Sequence, residues 1–76
     1  SMPKEDEQFL KDRLSMMESE GWLDLIEDLK DLEQSILNID ALDNENDLFN
    51  AKGQLHIIRF LLSLEDATKF TLEQSQ

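Results

Sequence analysis

The chain has 76 residues, no cysteine, one histidine and a formal net charge of −11. This composition excludes disulfide bonds and a zinc site with the usual Cys and His ligands, so we expect stability to come from well-packed helices or from oligomerisation. Residues 18–47 carry 11 acidic side chains against Lys30 alone, a net charge of −10, which argues against direct binding to nucleic acid or to an anionic membrane.

The chain is predicted to be one small helical domain, residues 1–76. No apolar run approaches the roughly 20 residues that span a bilayer, and no segment has the pattern of a signal peptide, so we expect a water-soluble protein without a membrane partner. Ser1 before Met2 is typical of a residue left by tag cleavage. We expect residues 1–3 to be disordered.

The first predicted helix spans residues 4–18. Its apolar positions recur three or four residues apart and form one stripe, which also includes an arginine. The stripe consists of Phe9, Leu10, Arg13, Leu14, Met16 and Met17. Acidic residues occupy the first turn, where the helix dipole favours negative charge.

The second predicted helix spans residues 20–38, with Ser19 as its N-cap. A heptad seam runs along it, which is the pattern for packing against another helix. The seam consists of Trp22, Leu25, Leu29, Leu32, Ile36 and Ile39. We expect Trp22 to lie in the core or to close the end of this helix, and to become an interface residue if a partner covers that end.

Acidic residues fill the other faces of the second helix. These acidic residues are Asp24, Glu27, Asp28, Asp31 and Glu33. Carboxylates at this spacing could hold metal ions in a bundle, but the inward Glu-x-x-His motif of such sites is missing. We therefore interpret Asp24, Glu27, Asp28 and Asp31 as a solvated acidic face.

Residues 38–44 are the predicted connection to a third helix, residues 45–73. Asn44 and Asp47 resemble a capping box, and Ile39 and Leu42 are expected to close the end of the core. A short connection makes the two long helices antiparallel neighbours. The third helix then extends about 15 Å beyond the second, and the first helix can cover part of that extension.

The third predicted helix has two overlapping apolar stripes. One is Leu48, Ala51, Leu55, Ile58 and Leu62; the other is Ile57, Leu61, Leu64 and Thr68, with Phe49, Phe60, Phe70 and Leu72 as further bulk. A helix that is apolar over more than half of its circumference needs neighbours on more than one side. We therefore expect a homo-oligomer, a dimer or tetramer built as a helical bundle. The alternative is a compact monomer whose first helix covers the second stripe.

Gly53 and His56 lie close together in the third helix and have different interpretations. A glycine inside a helix costs about 1 kcal/mol relative to alanine. Gly53 therefore favours close approach of another helix, and a ligand contact is the weaker alternative. His56 belongs to a polar stripe with Lys52, Arg59 and Ser63. We expect this stripe to face solvent or to pair with acidic residues of the second helix.

No residue pattern indicates catalysis, a cofactor or a metal site. His56 has no nucleophile at a suitable helical position, since Ser63 lies seven residues away. The segment 43–47 has carboxylates at three positions of an EF-hand loop, but it lacks the glycine and the final glutamate. The chain is predicted not to be an enzyme.

Three segments give the chain a family resemblance: GWLDLIEDL at 21–29, NIDALDNENDLFNAKGQL at 38–55 and LLSLEDAT at 61–68. With these, residues 19–72 resemble a group of small helical-hairpin proteins encoded by T7-like and marine podoviruses. The resemblance implies a bacteriophage origin and a place in the cytoplasm of an infected bacterium or in the virion. It carries over no catalytic or binding residue.

Two functions are compatible with these features. The first is a non-enzymatic module that associates with itself and with other phage or host proteins, as a minor structural, assembly or accessory factor. The second is an acidic mimic of nucleic acid that inhibits a host protein, based on the negative charge of residues 18–47.

Overall fold

The computed structural model describes residues 2–75, which form three α-helices. Their bounds are Lys4–Met16 for α1, Glu20–Ile36 for α2 and Glu45–Gln74 for α3, with a 3₁₀ turn at Ile39–Ala41. This part of the chain contains no β-strand, so the all-α prediction is confirmed. α1 and α2 each end two residues earlier than predicted, and α3 ends one residue later.

The two predicted N-caps are present. Ser19 Oγ accepts a hydrogen bond from the Trp22 N–H at 3.2 Å, and Asn44 Oδ1 accepts one from the Asp47 N–H at 2.9 Å. The return bond of the capping box differs from the usual pattern, because Asp47 Oδ2 accepts from the N–H of Asp43 at 3.0 Å. The bonds from the Trp22 and Asp47 N–H groups satisfy backbone donors that the first helical turn leaves free.

α3 is the central helix, and both other helices pack on it. Its 30 residues are about 45 Å long, whereas the 17 residues of α2 are about 26 Å long. α1 also contacts α3. Met2, two residues before α1, lies beside Thr71 and Ser75, at the end of α3 that is predicted to extend beyond α2. The hydrogen bond and charge of Glu65 raise the pKa of Lys69, with smaller contributions from the charges of Asp66 and of Glu18, which lies between α1 and α2.

The buried core is small. Met17, at the end of α1, has the most completely buried side chain at 1% exposure, and the other buried residues all belong to α3. They are Ala51, Leu55, Ile58, Thr68 and Leu72. The radius of gyration is 16.2 Å, whereas a compact domain of this length has about 11 Å. The chain is therefore elongated and leaves much apolar surface uncovered.

The prediction that Ile39 closes the end of the core is wrong. α2 ends three residues before Ile39, so this residue leaves the heptad register, and it is 76% exposed at the start of the 3₁₀ turn. Leu42 is half-buried and lines a depression with Ile36 and Ala51. Leu42, rather than Ile39, covers this end of the hairpin.

Candidate protein interaction surface

An open apolar groove lies between α2 and α3. It has a volume of about 510 Å³. We call it the Gly53 groove; it is lined by Leu32, Ile36, Gly53, Gln54, Ile57 and Ile58. All six residues belong to α2 and α3, and none of them is charged. α1 therefore contributes no wall to the groove.

The α2 seam is only partly covered. Trp22, Leu29 and Ile36 are half-buried, whereas Leu25 and Leu32 are exposed. Leu25 and Leu32 are seven residues apart, so they lie on the same side of α2. Since Leu32 lines the Gly53 groove, Leu25 extends the same apolar face along α2. Half of the heptad positions thus keep much of their surface exposed within the described residues.

The predicted interface residues of α3 separate into three groups by their burial. Ala51, Leu55 and Ile58 are buried, Leu61 and Leu62 are half-buried, and Leu48 and Ile57 are exposed. Ile57 is 58% exposed, so α1 does not cover the second stripe at this point as the compact monomer requires. One side of α3 packs within the chain, and the side that carries Ile57 remains open.

Gly53 is not a point of close approach within one chain. A Cβ atom placed on Gly53 would meet nothing within 4 Å, apart from atoms of its own helical turn and its chain neighbours. No helix of the described chain therefore requires glycine here. Close approach by a second molecule stays a prediction.

The polar stripe of α3 provides one contact to α2. Arg59 Nε donates to Glu33 Oε2 at 3.0 Å, so the predicted pairing with an acidic residue of the second helix is present. Glu33 lies four residues after Leu29, on the side of α2 that faces α3, and it is half-buried. His56 is exposed and has no hydrogen-bond or ion-pair partner within residues 2–75.

Comparison of the chain with protein-family models, with curated proteins and with solved structures gives no match. The chemistry of the surface therefore has to be judged from its own residues.

The four residues of the acidic face, Asp24, Glu27, Asp28 and Asp31, are all exposed. Glu27 Oε1 lies 3.5 Å from Lys30 Nζ. No group of three or more His, Asp or Glu side chains within residues 2–75 is arranged to hold a metal ion, and no helix in this range has the length and apolarity to cross a bilayer.

Two features of this surface were missed by the sequence analysis. Gln54 forms part of the wall of the Gly53 groove, which its distance of four residues from Ile58 could have indicated. Trp22 is half-buried, and its indole N–H is buried without a hydrogen-bond partner in the described chain. No periodicity signals the second feature, because it depends on what surrounds the indole edge.

Proposed function

We propose that this chain is a non-enzymatic protein that acts by associating with copies of itself and with other proteins. The observation that carries the proposal is the open apolar face beside α2 and α3, where Leu25, Leu32 and Ile57 are exposed. In water, exposed apolar surface of this kind favours association, because association removes it from the solvent. Domains usually contain two packed layers of secondary structure, and here α2 and α3 supply one.

The resemblance to podovirus proteins supports the biological setting of this proposal. We propose a phage-encoded assembly or accessory factor that is active in the cytoplasm of an infected bacterium or in the virion. Its first partner is another copy of the chain, and its second is a phage or host protein that binds the assembled form.

The molar mass in solution, measured by light scattering over a wide range of protein concentration, tests self-association. We expect the mass to rise from that of one chain toward that of a dimer or tetramer. Two chains of charge −11 repel each other, and salt screens this repulsion. Association should therefore strengthen as the salt concentration increases. A mass that stays at one chain at every concentration and salt level would contradict self-association.

The exposed acidic face favours a second candidate, a mimic of nucleic acid that binds a basic host protein. Asp24, Asp28 and Asp31 are exposed without ion-pair partners in the described chain, so their charges are available. Attraction between opposite charges weakens as salt increases. This candidate predicts a host protein that binds the chain at low salt and is released at high salt. The same host protein should not bind the variant Asp24→Asn/Asp28→Asn/Asp31→Asn. Binding that does not depend on salt would oppose this candidate.

A further inference from the structure

We infer that the Gly53 groove is the binding site for a second copy of this chain, and that Ile57 of each copy packs into the groove of the other. The inference rests on the self-association proposed above and specifies its surface. It is carried by the open, uncharged groove beside an exposed isoleucine on the same face of α3.

The first argument is shape. Gly53 contributes only backbone to the lining of the groove, and a Cβ placed on it would meet no atom of another helix within 4 Å. Ile57, one helical turn later, is 58% exposed and lines the same groove. A protruding residue and a cavity one turn apart are self-complementary under a two-fold axis, because each copy then supplies both halves of the contact.

The second argument is the heptad pattern. In a four-helix bundle both positions of a heptad seam point into the common core. Trp22, Leu29 and Ile36 are already half-buried, whereas Leu25 and Leu32 remain exposed on the side of the groove. A second α2–α3 pair on this face would cover Leu25 and Leu32 and complete the seam.

The third argument is area and charge. Two helices of about 26 Å that pack 8–10 Å apart present roughly 500 Å² to a partner, or roughly 1,000 Å² over both copies, the smallest area that a specific interface usually buries. The wall of the groove contains no charged group. Asp28 lies one turn from both Leu25 and Leu32, beside this face, so its charge adds to the repulsion that association has to overcome and that salt screens.

The test combines one blocking variant with two cross-linking variants. Gly53→Leu adds a bulky side chain beside the groove, at a position where a Cβ meets no other helix, so we expect its helix content to match the parent and its dimer dissociation constant to rise at least tenfold. Because the chain has no cysteine, Gln54→Cys and His56→Cys each introduce a single thiol. Gln54 lies on the groove wall, whereas His56 lies two residues further along α3, about 200° around the helix.

We expect a short thiol-specific cross-linker to join Gln54→Cys chains into dimers, with at least tenfold less product from His56→Cys. If the parent dimerises but both cysteine variants cross-link equally, or Gly53→Leu keeps both its helix content and the parental dissociation constant, the groove assignment is wrong and self-association uses another surface. If the parent remains a monomer at all concentrations, both the assignment and the proposed self-association fail. The cross-linking result decides the matter even if Gly53→Leu loses helix content.

Discussion

Arg59 and Glu33 form an ion pair that joins α3 to α2, with 3.0 Å between Arg59 Nε and Glu33 Oε2. The other three ion pairs found within residues 2–75 each lie inside one helix. The Glu33 side chain is 19% exposed and the Arg59 side chain 56%. The pair therefore helps to fix the register of the two long helices while keeping access to solvent.

We expect the interaction between these two residues to stabilise the fold only slightly. A double-mutant cycle with Glu33→Gln and Arg59→Gln, measured by urea unfolding, should give a coupling energy of about 0.2–1 kcal/mol, the usual range for solvent-accessible pairs. The value should fall in high salt, because salt screens the interaction. The pair Glu65 and Lys69, which lies within α3, is the control: its coupling should be similar, but its loss should leave contacts between α2 and α3 unchanged.

Gly53→Ala should stabilise the single chain. The added Cβ meets no atom of another helix, and alanine favours the helix over glycine by about 1 kcal/mol. Urea unfolding at a concentration where the chain is monomeric measures the gain. Gly21→Ala is the matched control, because Gly21 is also free of contacts but lies in the first turn of α2, where we expect a smaller gain. A loss of stability with Gly53→Ala would mean that a helix does approach this position closely.

The caps and the helix periodicity could be predicted from the sequence because they depend on neighbouring residues. Ser19 and Asn44 accept the expected bonds for this reason. The side of α3 that packs could not be predicted, since a helix that is apolar over half of its surface can pack on several sides. Ile58 is buried and Ile57 is exposed. Which of the two is buried depends on the side of α3 on which α2 packs.

The same limit applies to the candidate site. The sequence predicts close packing at Gly53, and Gly53 does line the groove. A glycine in a helix shows only that a side chain is missing there. It does not show which molecule, if any, packs against that position. The sequence predicts that the polar stripe of α3 could pair with an acid of the second helix, but it does not single out Glu33, because the partner depends on how α2 packs on α3.

Loss of the Asn44 cap should destabilise α3. Asn44→Ala removes the acceptor for the Asp47 N–H, a bond of 2.9 Å, and such losses cost about 0.5–2 kcal/mol. Asn44→Asp keeps an acceptor at the same place and serves as the control, with a smaller effect expected. Urea unfolding of the parent, Asn44→Ala and Asn44→Asp compares their free energies of unfolding. Equal stability of Asn44→Ala and the parent would show that water replaces the cap without cost.

Met17→Ala should have the largest effect of these substitutions, because the Met17 side chain is only 1% exposed. Truncation of a buried methionine to alanine removes apolar contacts and leaves a cavity, which typically costs about 2–5 kcal/mol. Met17 follows the last residue of α1, so we expect α1 to detach from α3 before the α2–α3 hairpin unfolds. The neighbouring Met16 is 47% exposed, and Met16→Ala is the matched control with a change below about 1 kcal/mol. Hydrogen exchange measured along the chain should show faster exchange in α1 for Met17→Ala alone. Equal exchange in the two variants would mean that burial of Met17 does not hold α1 in place.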